Sequence, residues 1–153
     1  MDYEQRVRDL GIVLTAPSAP AGSYKPVVIC GQTAYLSGQL SKTSDGKIIE
    51  GRVGENLSLA DGQKAARAAA LNVLSLIRSI IGFGRFERIL RVVGYVQCAA
   101  SFHEIPQVIN GASDLFLEVF GDNGIHARSA VGMSALPFNS AVEIEVTAAV
   151  NQG

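Results

Sequence analysis

Few side chains in this sequence are suited to chemistry, and most of them lie in its last third. Arg128 follows His126 by two residues, and Glu143 and Glu145 alternate with apolar residues toward the C-terminus. A guanidinium presents a planar fork of donors that pairs bidentately with a carboxylate, a geometry lysine does not offer. An imidazole two residues away is suited to hold or pass a proton near neutral pH, and is equally a loop histidine. Arg128 also has a simpler use open to it, an ion pair with Glu143 or Glu145 of a neighbouring copy. Glu143 in turn can be a plain strand carboxylate. The two cysteines, Cys30 and Cys98, lie in apolar, strand-like stretches with no Cys-x-x-Cys or Cys/His cluster nearby. They are expected to be buried free thiols, with no metal.

The elements that position these residues come from one compact domain, residues 1–153, long enough to bury a core without disulfides or structural metal. Hydrophobic residues make up 48% of the chain and charged residues 18%, against about 25% charged in an ordinary soluble domain. That surplus implies that some surface is buried in an oligomer. With 13 Lys and Arg against 14 Asp and Glu, there is no general attraction for a polyanion, so nucleic acid is a poor partner. The first ten residues carry five charges and lack a signal-peptide core, and no apolar run reaches the roughly 18 residues of a membrane span. The expectation is a cytoplasmic protein with no membrane partner.

Local patterns supply the order of elements. A short helix over Tyr3 to Leu10 precedes the turn-rich stretch Ala16 to Ser23, where Pro and Gly forbid a continuous helix. Val27 to Cys30 and Ala34 to Ser37 flank Gly31-Gln32-Thr33 as a hairpin. The polar stretch Ser41 to Asn56 reads as a long surface loop. Ala66, Ala70, Val73, Leu74, Ile77, Ile80 and Ile81 then repeat at the spacing of one helical face, with Ser58 and Asp61 as a capping pair and Gly82 and Gly84 as stops. Ile89 to Ala99 reads as a long buried strand, and Pro106 to Phe120 as a second amphipathic helix. Arg128 to Met133 and Ala141 to Val150 are the last strands, the latter clearly of period two. Two helices cover one face only, which gives an α+β two-layer domain with a mixed sheet of about six strands. Tyr35, Val93 and Tyr95 fall on the uncovered face, where symmetric partners would close it.

This order of elements, and several motifs within it, resemble the YjgF-like, reactive-intermediate (imine) deaminase family, also labelled endoribonuclease L-PSP. The run Ala127 to Glu145, A-R-S-A-V-G-M-S-A-L-P-F-N-S-A-V-E-I-E, is similar to the family's signature of Arg-Ser, Leu-Pro and a Glu-x-Glu strand. Ala19 to Tyr24 and Leu36-Ser37-Gly38-Gln39 resemble its N-terminal signatures, and Asn110 sits where the family has an Asn in its second helix. The resemblance implies a chorismate-mutase-like fold and a homotrimer with a pocket at each subunit interface. It further implies cofactor-independent hydrolysis of enamines and imines, such as 2-aminoacrylate, to a 2-keto acid and ammonia. On that match Arg128 binds the substrate carboxylate and Glu143 manages protons. Tyr24, Ser37 and Asn110 line the pocket, backbone groups near Cys98 contribute, and His126 is a possible acid or base. A non-catalytic sensor of small carboxylates is the alternative, and endoribonuclease activity ranks below both. Two positions depart from the family's deaminases: Ala130 stands where they often have Cys, and Gly132 where many have Glu. The longer N-terminus resembles a divergent branch of the family.

Overall fold

Alternation organises the last strand, β5 (Val142–Val150): every second residue from Val142 is buried, Glu145 is exposed, and Glu143 and Thr147 are half-buried. One face is therefore covered and the other open. In a computed structural model, which describes residues 2–151, β5 is the centre of the sheet. Its antiparallel neighbours are β2 (Thr33–Leu40) and β3 (Phe86–Gln97), with β1 (Val27–Cys30) outside β2 and β4 (Ala127–Met133) outside β3. The β3–β4 pair is parallel, so the sheet is mixed. The expectation of about six strands is corrected to five. The stretch 41–56 adds only isolated bridges, such as Glu50 with Ser140 and Val53 with Cys98. Gly46, Gly51 and Gly54 turn it through positive φ before any ladder can form. Nor is that stretch all surface: Ser41 and Val53 are fully buried, and the Ser41 and Ser140 hydroxyls lie 2.7 Å apart.

Two helices cover the inner face. In α2 (Leu59–Leu76) the Ser58 hydroxyl accepts from the Asp61 amide at 3.1 Å, while the Asp61 carboxylate accepts from the Ser58 amide at 3.0 Å, a closed capping box. A π-helical turn over Ile77–Ile81 follows, closed by the Gly82 amide donating to the Ile77 carbonyl at 2.8 Å. The wider turn rotates Ile80 out to 43% exposure, so it leaves the buried face on which simple helical spacing put it. The whole apolar stripe of α3 (Ile105–Phe120), Val108, Ile109, Ala112, Leu115, Phe116 and Val119, is fully buried. Each large side chain of that set contributes about 1.5–3 kcal/mol by leaving water. The two helices meet where Gly111 of α3 touches the Gln63 backbone, and Arg67 and Glu118 bridge them with bonds of 3.2 and 2.8 Å. The short N-terminal helix α1 (Tyr3–Asp9) seals one end by inserting Tyr3 among Phe83, Phe86 and Phe120.

The opposite face of the sheet carries no helix among the described residues. Tyr35 is 54% exposed there, and Val93 and Tyr95 are half-buried, as the alternation requires. Cys98 is buried as expected, but Cys30 is exposed. It ends the edge strand β1, of which only Val27 packs inward. No helix among the described residues is long and apolar enough to cross a membrane.

Candidate functional site

Strand β4 is the outer edge of the sheet, and its register with β3 sets Arg128 opposite the fully buried Val92, on the helix side. There the guanidinium meets α3. Its Nη1 donates to Asn110 Oδ1 at 2.8 Å and to Ser113 Oγ at 3.1 Å, two residues that share a face of α3 because they are three apart. Nε and Nη2 make no hydrogen bond among the described residues, so one planar edge of the fork remains for a ligand. His126 stands behind this group, with Nε2 at 3.0 Å from Ser113 Oγ and Nδ1 at 2.6 Å from the Gly124 carbonyl. Burial holds its imidazole below the ordinary histidine range, and the positive charge of Arg128 adds to that. A cavity of about 250 Å³ opens beside these groups, lined also by Asp114 and Leu117.

Glu143 lies on the open face, paired in register with Leu40 on β2 and Tyr95 on β3. Its carboxylate rests directly over Gly38, where a methyl group would fall on Oε1 and lie 3.0 Å from Cδ. Gly38 sits in the register irregularity between Leu36 and Gln39. Burial raises the Glu143 carboxyl above the ordinary range, and neighbouring Glu145 raises it further. Neither glutamate has an ion-pair partner among the described residues. A half-buried, uncompensated carboxyl of this kind takes up and releases protons closer to neutral pH than an exposed one.

Gly38 also lines a cavity of about 350 Å³ between β2 and the proline-rich strap before β1, together with Tyr24, Ser37, Gln39, Lys42 and Phe138. Ser37 Oγ donates to the Lys25 carbonyl at 2.7 Å, which commits its hydrogen and leaves its oxygen free to accept. Tyr24 is 54% exposed, and its hydroxyl accepts from the Ala21 amide at 3.4 Å. Cys98 stands apart, beneath Gly132 in a third cavity of about 470 Å³. Its carbonyl accepts from Arg52 Nη1 at 3.0 Å and its amide donates to the Met133 carbonyl at 3.4 Å, so both backbone groups are already engaged.

Within one subunit, then, Arg128, Asn110 and His126 form one group, Tyr24 and Ser37 share a cavity with Gly38, Glu143 touches Gly38 without lining that cavity, and Cys98 belongs to neither group. Two participants escaped the sequence reading, Ser113 and Gly38. Ser113 was visible as the residue one helical turn after Asn110. Gly38 stood inside the Leu36-Ser37-Gly38-Gln39 motif, but nothing in one dimension showed what lay above it.

The comparisons agree with this architecture. Residues 4–150 match the model of the YjgF/chorismate mutase-like family, whose description adds "putative endoribonuclease". The chain is 43% identical over 144 residues to Protein TCP17 of Trypanosoma cruzi, covering 93% of this chain and 90% of that protein. The structure of Atu1372 from Agrobacterium tumefaciens, described as of unknown function, superposes with a TM-score of 0.89 at 36% identity, over 97% of this chain and 92% of that one. A Shewanella oneidensis protein bearing the endoribonuclease description superposes with a TM-score of 0.90 at 32% identity, over 96% and 98% of the two chains. The family match spans both the Arg128 group and the Gly38 group, and the chain belongs to the YjgF/chorismate mutase-like family.

Proposed function

We propose that this protein hydrolyses reactive enamines and imines, converting 2-aminoacrylate-like 2-imino acids to 2-keto acids and ammonia without a cofactor. The observation that carries this reading is the guanidinium of Arg128, held along its Nη1 edge by Asn110 and Ser113 and free along its Nε/Nη2 edge. That edge takes the substrate carboxylate bidentately. The protein works as a homotrimer, in which the open sheet faces cover one another and the edge strand β4 of one protomer, which carries the Arg128 group, adjoins the Glu143 group of the next. Closure dries a guanidinium that is exposed in the single subunit, and its pairing strengthens accordingly.

Glu143 then handles protons. Its carboxylate takes one from a water that attacks the imine carbon. The nitrogen gains that proton to give the neutral carbinolamine, whose hydroxyl proton then passes through the same carboxylate to the nitrogen as the C–N bond breaks, so that ammonia and the keto acid leave. An enamine first gains a proton on its terminal carbon and gives one up from nitrogen to become the imine. Imines hydrolyse readily in water, so orientation and a tuned carboxyl are sufficient help.

A second reading has its own support: the anion fork is assembled within one subunit, without Glu143. On that reading the protein senses small carboxylates and turns nothing over. Release of ammonia and keto acid from enzymatically generated 2-aminoacrylate separates the two. The expected result is acceleration that Arg128→Ala abolishes while the trimer survives. Acceleration that persists in Arg128→Ala removes the mechanism, and pyruvate binding without acceleration establishes the sensor.

A further inference from the structure

We propose that His126 is a positioning residue that acts through Ser113 to aim the Arg128 guanidinium, by a relay of hydrogen bonds whose direction is fixed from end to end. The inference rests on the carboxylate-binding role of Arg128 and names the device that orients it.

Donor counting sets the direction. The Gly124 carbonyl only accepts, so at 2.6 Å the facing Nδ1 of His126 carries the hydrogen. A neutral ring then has a bare Nε2, which faces Ser113 Oγ at 3.0 Å and can only accept from it. The Ser113 hydroxyl therefore donates its hydrogen to the ring and turns its lone pairs toward Nη1 of Arg128, 3.1 Å away. A guanidinium only donates, so each link has one donor and one acceptor. Burial and the charge of Arg128 both keep the ring neutral, which the relay requires. The ring itself is fixed by edge-on packing against Phe116, with centroids 5.9 Å apart. Three elements bring charge to this neighbourhood: Arg128 on β4, Asp114 on α3, which lines the same cavity, and Arg88 on β3, whose Nη2 donates to the Ile125 carbonyl at 3.3 Å. Without the relay, Nη1 keeps Asn110 as its one partner and the guanidinium can pivot about that contact.

The test uses the intact protein, with pyruvate as probe and nitrogen-15 spectra of the His126 ring. Ser113→Ala and His126→Phe, the latter chosen to keep the packing on Phe116, are each expected to weaken pyruvate binding about three- to tenfold, the range one hydrogen bond spans. Because His126 acts through Ser113, the double variant is expected to bind no worse than the weaker single variant. Losses that multiply overturn the relay, and so does His126→Phe binding as tightly as the unaltered protein. The spectra give an answer that needs no ligand. The neutral ring should carry its hydrogen on Nδ1, and Arg128→Ala should raise its titration midpoint by removing a like charge. A hydrogen on Nε2, or a midpoint that does not move, overturns the proposal. If the unaltered protein binds no pyruvate, the carboxylate reading of Arg128 fails while the ring still decides the relay.

Discussion

Adding one methyl group at Gly38 separates the Glu143 carboxylate from the stability of the fold. The methyl would land on Oε1 and lie 3.0 Å from Cδ and 3.2 Å from Cγ. Ordinary carbon contacts begin near 3.5 Å, so the carboxylate oxygen must move by more than about 1 Å. It can do so, because the obstructed atoms are the far end of a flexible side chain with open sheet face beside it. An off-rotamer side chain costs about 0.5–1.5 kcal/mol. The unfolded-state entropy lost with Gly38→Ala offsets about 0.4–1 kcal/mol of that, since Gly38 has no positive φ to preserve. The net change in stability stays within about 1 kcal/mol, a melting shift of no more than about 4 °C for a chain of this size. Turnover responds differently, since a 1 Å misplacement of a reacting group costs about 100-fold. Parallel thermal melts and ammonia-release assays on Gly38→Ala give both numbers. Turnover within threefold of the unaltered protein would refute the placement of Glu143 at the reacting centre. A melting loss beyond about 10 °C would refute the flexibility on which the estimate depends.

Gly111→Ala is the structural counterpart: its methyl would meet the Gln63 backbone, 2.9 Å from the carbonyl carbon. Backbone cannot rotate aside, so α2 and α3 must separate; the expected cost is at least about 3 kcal/mol, seen as a melting loss of roughly 6–12 °C. Ser58→Ala opens the capping box of α2 and should cost about 0.5–2 kcal/mol in a denaturant titration, with turnover unchanged. The pH dependence follows from Glu143, whose carboxyl folding holds above its ordinary range. The stability it contributes is present below its unfolded pKa and lost as pH rises through the folded one. Glu143→Gln removes that loss, so its melting advantage over the unaltered protein should widen between about pH 4 and 7; a gap that narrows instead would reverse the assigned shift.

Sequence pattern alone determined the amphipathic parts of this protein. In α3 and β5, side-chain period and burial coincide residue by residue, because a helix or strand with one covered face must repeat its apolar residues at 3.6 or 2. The motif around Arg128 likewise marked the family before any geometry was available. What one dimension could not supply were features set by neighbours distant in the chain. The π-helical turn moved Ile80 outward, the stretch 41–56, read as a surface loop, tucked Ser41 and Val53 into the interior, and the short edge strand left Cys30 exposed. The site divides in the same way. Arg128, Asn110, His126, Glu143, Tyr24 and Ser37 were named from their types and motifs. Their sorting into a guanidinium group on the helix side and a carboxyl group over Gly38 came only from the fold. The physical reason is that periodicity records which face of an element is apolar, whereas a site depends on which elements adjoin. Only the packed sheet and helices set Ser113 beside Arg128 and Gly38 beneath Glu143, contacts that span 15 and 105 residues of chain.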